Sequence, residues 1–389
     1  MRRVTLPPRP DWVEQVERLG FAFHTIDGET YWDESAAIAF TLEEIERDIE
    51  GPTDAIEQLC FGFIERALDS EEILTKLAIP AEHWDYIRDS WKRGERNLYG
   101  RLDLAYDGRG PAKLLEYNAD TPTALFESSV VQWDWLEQAM ARGAIPKGSD
   151  QFNSLHERLI AAFKGLREPS PYRLHLTCVQ GSPEDKGTVD YLTDCAVQAG
   201  LDARFTYIEE LGLLSDGRFC DGANQPIETL FKLYPWEWMF RESYGKALAG
   251  SGCQFIEPPW KAILSNKGLL ACLWEMEPGH PNLLPAFFEG DPRCATLSTQ
   301  HVRKPLYSRE GANVTLMERG RVLDSDDGPY GAEGHVLQDA ATNLFSAEGK
   351  YAVLGSWLVA SQACGLCIRE DASPITKNTS RFLPHYIEP

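Results

Sequence analysis

Arg101-Leu102-Asp103-Leu104 and Leu115-Glu116-Tyr117-Asn118 are the two stretches on which the reading of this chain turns. Each alternates polar and apolar residues, the two-residue period of a half-buried strand. Asp107-Gly108-Arg109-Gly110-Pro111 lies between them and is a strong turn signal. Paired as one hairpin, the stretches put Arg101, Asp103, Glu116 and Asn118 on one face. Leu102, Leu104, Leu115 and Tyr117 take the other. A guanidinium, two carboxylates and an amide oxygen on one sheet face do little for folding. Oxygen donors grouped in this way suit a hard cation and whatever that cation carries.

Outward from the hairpin, residues 11–100 read mostly as helices. Thr41-Leu42-Glu43-Glu44 has the form of a helix start, with an N-capping threonine and early acids. Residues 54–67 carry Ile56, Leu59, Phe63 and Ile64 at near-helical spacing, and 69–77 and 81–98 continue the pattern. A small hairpin is expected around 19–26 and Tyr31-Trp32. After the central hairpin, 126–140 and 150–166 read as helices. Residues 171–235 change character: strands at 172–180, 203–208 and 229–234 alternate with a helix at 187–199, as in a small parallel α/β lobe. Beyond Trp236, helices at 237–248 and 268–276 give way to strand-like pieces at 314–317, 351–354 and 364–369, as in an α+β lobe with an antiparallel sheet. The expected division is 1–165, helical with the hairpin; 166–236, α/β; and 237–389, α+β.

The bulk numbers exclude several classes. The chain has 389 residues, ample for a large core, with ordinary hydrophobic (43%) and charged (25%) fractions. A net charge of -22 argues against a nucleic-acid backbone as partner. It serves solubility and can help draw in a cationic substrate such as a polyamine. No run approaches the ~20 apolar residues of a membrane span. The basic start, Met1 to Pro10, has no apolar region of the signal-peptide kind. Nine scattered cysteines suit reduced thiols in a cytoplasm. Cys364-Gly365-Leu366-Cys367 lacks the helix N-terminus or second pair that redox or zinc chemistry needs, and reads as small buried strand residues.

Standard nucleotide motifs fail. Gly181 to Gly187 comes near a phosphate loop, but Lys186 precedes the glycine instead of following it. Gly108-Arg109-Gly110 lacks the third glycine of a dinucleotide fingerprint. No HExxH occurs. What remains is Ser265-Asn266-Lys267-Gly268 before a helix, Val302-Arg303-Lys304-Pro305 as a strand, and the polar glycine loop Ser308-Arg309-Glu310-Gly311-Ala312-Asn313. Such a loop offers backbone N–H groups to phosphates.

Taken in order with the hairpin, these features resemble the synthetase domain of the glutathionylspermidine synthase family, an ATP-grasp fold, and most closely its stand-alone acid–amine ligase-like members. The matching stretches are Arg101 to Asp103, Leu115 to Asp120, Lys232 with Trp236-Glu237, Glu257 to Trp260, Ser265 to Lys267, Lys304-Pro305, Arg309 to Asn313, Gly355 to Trp357, Gly365 to Asp371 and Ile375 to Arg381. They cover nearly the whole chain.

The resemblance implies an ATP-grasp fold with a small parallel α/β (pre-ATP-grasp) lobe, and an ADP-forming carboxylate–amine ligase. Asp103, Glu116 and Asn118 would ligate Mg2+, with Arg101 and Asp103 at the ATP phosphates. Arg101 and Arg309 would be the catalytic cations. Lys267 and Lys304 would hold ATP, and Gly311, Ala312 and Asn313 would form a loop over its phosphates. Gln338 would sit at the adenine, with Pro374, Ile375, Thr376 and Lys377 also beside the nucleotide. Thr121, Thr123, Asp185 and Arg369 would bind substrate. Trp236, Trp260 and Trp357 read as core aromatics. The substrate stretch departs from the family pattern: Ala119-Asp120-Thr121-Pro122-Thr123-Ala124 replaces a serine-rich segment, and Leu233 replaces a threonine. The expected partners are therefore a small-molecule carboxylate, a peptide among the candidates, and an amine, with neither glutathione nor spermidine assigned. The alternative is a regulatory ATP-binding protein that kept the fold without the chemistry. A carboxylate-pair glycosidase using Asp103 and Glu116 leaves the later lysines without a role.

Overall fold

A computed structural model describes residues 1–26, 28–166 and 173–389. Its centre is a six-stranded antiparallel sheet. The hairpin strands Tyr99–Ala105 and Lys113–Asn118 form one side of it. Lys350–Val359 pairs with Tyr99–Ala105, then Gln362–Asp371 and Arg381–Leu383 follow outward. Leu102, Leu104 and Leu114 are wholly buried beneath the hairpin, where they pack with Ile56, Phe63 and Ile64 of the helix Gly51–Leu68. That packing fixes which face carries the polar residues, because a one-residue slip would invert every side chain.

A four-stranded parallel sheet comprises Gln254–Ile256, Thr229–Lys232, Arg173–Cys178 and Asp202–Tyr207, in that order. A five-stranded antiparallel sheet comprises Ala286–Phe288, His335–Asp339, Gln300–Pro305, Thr315–Glu318 and Arg321–Ser325. Leu283, Leu306 and Val336 join the core that lies under the hairpin. A three-stranded sheet of Arg2–Thr5, Ala36–Phe40 and His385–Ile387 ties the two ends of the chain together. Among the described residues, no helix is long and apolar enough to cross a membrane.

Several elements start or stop elsewhere than the sequence pattern placed them. Thr41 caps its helix as expected, in a reciprocal capping box with Glu44. The helix expected at 187–199 runs Pro183–Gln198, because Ser182 caps Asp185 N–H and Pro183, Glu184 and Asp185 suit a first turn. The helix expected from 150 begins at Leu155, since Asp150 and Asn153 are engaged in β-bridges to Ile387 and Gly365. The helix expected at 237–248 is only Trp236–Met239 and then a 3-10 stretch, Gly245–Gly250. Gly245 packs so closely on Phe240 that a Cβ there would stand 2.8 Å from its carbonyl oxygen. The helix expected over 81–98 is a 3-10 turn, Ala81–His83, followed by Trp84–Lys92. The small early hairpin has two-residue strands, Thr25–Ile26 and Glu29–Thr30, and its residue 27 lies outside the described residues. Tyr172, the expected start of the first parallel strand, also lies outside them. All nine cysteines are free, and Cys364 and Cys367 are buried in a strand. Trp236, Trp260 and Trp357 are core residues, as expected.

Candidate active site

The hairpin register sets the site. Arg101 lies opposite Asn118 and Asp103 opposite Glu116, so all four side chains share one face. Arg101 grips Asp103 through both edges of the carboxylate, Nε to Oδ1 at 2.6 Å and Nη2 to Oδ2 at 3.0 Å. Its Nη1 donates to the carbonyl of Thr123 at 2.8 Å, which ties the loop after the hairpin to the same cation. The guanidinium also lies 5.4 Å from the Trp357 ring centre. Gly355 makes room for this arrangement: a Cβ there would stand 2.7 Å from Arg101 Cδ and 2.4 Å from Cys367 Sγ. A glycine in mid-strand is thus explained by the close passage of a side chain.

Asn118 Nδ2 bridges the carboxylates, donating to Asp103 Oδ2 at 3.1 Å and Glu116 Oε1 at 3.0 Å. Lys267, just before the helix Gly268–Met276, pairs with Glu116 Oε2 at 3.0 Å and donates to Ser308 O at 2.8 Å. Lys304 comes from the strand Gln300–Pro305 and donates to Leu115 O and Gln338 Oε1, both at 2.7 Å. Burial pushes the Glu116 carboxyl up, but Lys267 and Lys304 outweigh it and hold the group at about 2. Burial raises Asp103, with Arg101 opposing and Glu116 adding to the rise. Burial pulls Lys304 down to about 8, with Glu116 opposing. The face is therefore a set of mutually paired charges, not a row of free acids.

Two cavities meet on this face. One, of about 330 Å³, is lined by Arg101, Asp103, Glu116, Lys267, Arg309 and Arg369, among others. The second, of about 580 Å³, has apolar walls from Val302, Leu316, Leu344, Tyr351, Val353 and Ile375. Asp103, Glu116, Gly311 and Thr376 line both. Gly311 has φ +74°, and a Cβ on it would stand 2.4 Å from Thr376 O, so the glycine loop lies directly against the 374–377 segment.

The structure brings most of the expected residues together. Thr121, Thr123, Asn118, Asp185 and Lys377 line the first cavity with the charged set, while Lys304 and Pro374 line the second. Asp185 is raised to about 6 by burial and by its neighbour Glu184. Arg369 is braced by the carbonyls of Lys377, Asn378 and Ser380, with distances between 2.9 and 3.1 Å. Three expected residues stand elsewhere. Gln338 lines neither cavity; it lies beneath Lys304 and also donates to Leu114 O at 3.0 Å. Its strand, paired directly with that of Lys304, turns it into the sheet. Ala312 and Asn313 also line neither cavity. Asn313 Oδ1 instead accepts from Tyr330 N–H at 2.8 Å, because the chain turns away after Gly311.

Other functional candidates carried no sequence signal of their own. The apolar walls of the second cavity come from three strands and two loops, and nothing local distinguishes such residues from core. Asp120, Glu184 and Glu237 line the first cavity. Asp120 and Glu237 do fall within stretches that carried the family resemblance.

Among the described residues no group of three or more His, Cys, Asp or Glu side chains forms a metal cluster. A hard ion at the hairpin would have the carboxylates of Asp103 and Glu116 and, with the Asn118 amide turned so that its oxygen instead of Nδ2 faces them, one amide oxygen. That is a donor set suited to Mg2+, which keeps water and phosphate oxygens for its remaining positions.

The family described as glutathionylspermidine synthase preATP-grasp matches residues 3–388. A Haemophilus influenzae protein named "Putative acid--amine ligase" is 41% identical, with 100% of both chains covered. Trypanothione synthetase of Crithidia fasciculata is 27% identical over 82% of this chain and 51% of its own. The bifunctional glutathionylspermidine synthetase/amidase of Escherichia coli is 25% identical over 96% of this chain and 63% of its own. This chain therefore spans roughly half to three fifths of those two longer relatives. A solved glutathione synthetase-like effector from Globodera pallida superposes with a TM-score of 0.53 at 11% identity, covering 97% of this chain and 95% of that one. The mixed α/β architecture is that of the ATP-grasp fold, and the chain belongs to the glutathionylspermidine synthase preATP-grasp family.

Proposed function

We propose that this C–N ligase joins a small-molecule carboxylate to an amine with cleavage of ATP to ADP and phosphate, by way of an acyl phosphate. The observation that carries the reading is the wall shared by the two cavities, where Asp103 and Glu116 stand between an apolar chamber and a charged one. An adenine fits the apolar chamber, flanked by Ile375 and Val353. The phosphates then pass the shared wall toward Lys267, Arg101 and Arg309. In this reading 1–165 supplies the metal-side hairpin, 166–236 the α/β unit, and 237–389 the nucleotide-binding unit.

Mg2+ held by Asp103, Glu116 and Asn118 would neutralise phosphate charge when bound. The protein's own groups position and stabilise. Lys304 and Lys267 converge on Glu116 and on the phosphate path. Arg101, fixed by Asp103 and Thr123 O, presents a cation where charge builds on the transferring phosphoryl group. The substrate carboxylate oxygen attacks the γ-phosphorus, and the bond to ADP breaks with its electron pair on ADP. The amine nitrogen then attacks the acyl carbon. Phosphate leaves with the C–O electron pair, and the amine's proton leaves with it. No covalent link to the protein is needed, so catalysis rests on proximity and electrostatics. Thr121, Thr123, Asp185 and Arg369, which line the charged cavity, serve the substrates.

The test is to incubate the protein with ATP, Mg2+ and pools of amino acids, peptides and polyamines, and to measure phosphate release. Release stimulated only when an acid and an amine are both present is the expected result. Nucleotide binding with no stimulated release across broad pools would overturn the proposal.

A further inference from the structure

Arg309, the arginine of the glycine loop, is held from the opposite side of the charged cavity. Its Nη2 donates to Glu237 Oε1 at 2.8 Å, and its guanidinium lies 5.1 Å from the ring centre of Trp238. Its Nη1 is shielded from solvent and has no hydrogen-bond partner among the described residues. Glu237 is only 7% exposed. A carboxylate so far from water is costly unless it has a partner.

Glu237 is itself anchored to the metal-side hairpin. Its short helix, Trp236–Met239, starts where Asp120 Oδ2 accepts Trp236 N–H at 2.8 Å. Asp120 Oδ1 accepts from Lys232 Nζ at 2.5 Å, and Lys232 also donates to Tyr234 O at 3.0 Å. Asp120 follows Asn118 by two residues. One chain of contacts therefore runs from the hairpin through Asp120 and the start of this helix to Glu237, and from Glu237 to Arg309.

We infer that Glu237 is a positioning residue for Arg309. It fixes one edge of the guanidinium against the short helix Trp236–Met239 and so sets where the loop's arginine stands relative to the nucleotide's phosphates. The loop arginine is thereby registered to the same hairpin that would hold the metal. The inference rests on the ligase reading only for the nucleotide as the target of Arg309.

The test is a double-mutant cycle on the affinity for AMP-PNP with Mg2+, using the full chain. Glu237→Gln should weaken binding about tenfold, the effect of losing one charge-assisted hydrogen bond. Arg309→Met should weaken it at least as much. The double variant should bind no worse than Arg309→Met alone, because Glu237 acts only through Arg309. Losses that multiply in the double variant would overturn the inference. In the absence of nucleotide, amide hydrogen exchange over 308–314 should speed up in both single variants. Unchanged exchange in Arg309→Met would overturn the inference even if Glu237→Gln folds poorly. A wild-type protein that fails to bind AMP-PNP would count against the ligase reading, and the exchange measurement would still decide the role of Glu237.

Discussion

The two cavities that meet at Asp103 and Glu116 are built on opposite principles. The charged one is held by pairs: Arg101 with Asp103, Lys267 with Glu116, Arg309 with Glu237. The larger is held by shape, with walls of Val302, Leu316, Leu344 and Val353. Charges in pairs fail together, because removing one strands the other in a poorly solvated place. An apolar wall fails by degrees, in proportion to the surface it loses. Substitutions on the two sides should therefore differ in kind: loss of turnover on one, graded loss of affinity on the other.

The sharpest test of that contrast is Glu116→Gln. The substitution removes the charge that Lys267 and Lys304 both face. Acid- and amine-stimulated phosphate release should fall at least about 1,000-fold, the scale of a lost transition-state electrostatic contact. Asp103→Ala adds a stability arm. It leaves the half-buried Arg101 without its carboxylate, which should cost about 3 kcal/mol in urea denaturation. Turnover and stability both near wild type would break the account of the charged cavity.

Gly311 stands on the shared wall and tests both sides at once. At φ +74° any side chain is strained, and a Cβ would collide with Thr376 O. The left-handed backbone alone costs roughly 1–2 kcal/mol. Gly311→Ala should therefore weaken Mg2+–AMP-PNP binding by at least about tenfold, measured by calorimetry. Unchanged affinity would show that the loop does not close on the 374–377 segment in the working protein.

The same division explains what could be read before the structure. The hairpin was legible because its polar residues alternate over a few positions and its turn is local. Lys267 and Lys304 stood out only as a lysine before a helix and a lysine in a strand, and a nucleotide role came to them from the family resemblance alone. The adenine chamber was not legible, since Val302, Leu316 and Val353 look like any strand residue until three strands are brought together. The setting of Gln338 was hidden for a related reason. Its role under Lys304 depends on the antiparallel register between two strands more than 30 residues apart, which no local pattern encodes. Helix ends slipped where tertiary contacts took over, as at Asp150 and Asn153. The early start at Pro183 was different, for Ser182 and the acids after it were a local signal.

A milder probe is pH, acting through Lys304, the buried cation on the apolar chamber's side of the shared wall. Burial lowers Lys304 from its ordinary 10.5 to about 8, with Glu116 opposing. The folded state then binds fewer protons than the unfolded chain between about 8 and 10.5. This residue's contribution to stability accordingly rises with pH in that window. Nucleotide affinity should move the other way, falling as pH rises through about 8 because the charge facing the phosphates is lost. The fall should reach several-fold by pH ~9.5, and Lys304→Arg should flatten it, since a guanidinium keeps its charge there. Glu116 behaves oppositely. Its depressed carboxyl stabilises the fold above the ordinary carboxylate range, and that contribution is lost only as pH falls toward about 2.

The effect that spares turnover belongs to the wall. Leu316 pairs with Val302 across the strands that form one side of the apolar chamber, and both line it. Leu316→Ala removes apolar surface without stranding a charge or breaking a strand hydrogen bond. A partly buried side chain facing a ligand is worth about 1 kcal/mol, the scale of a methylene or two in a binding pocket. Affinity for AMP-PNP with Mg2+ should weaken roughly three- to tenfold. The maximal rate of phosphate release at saturating ATP should stay within about twofold, because the contact is equally strong before and during phosphoryl transfer. Steady-state kinetics separate the two: KM for ATP rises while kcat holds. A fall in kcat without a rise in KM would place Leu316 on the reacting side of the shared wall and abolish the contrast between the chambers.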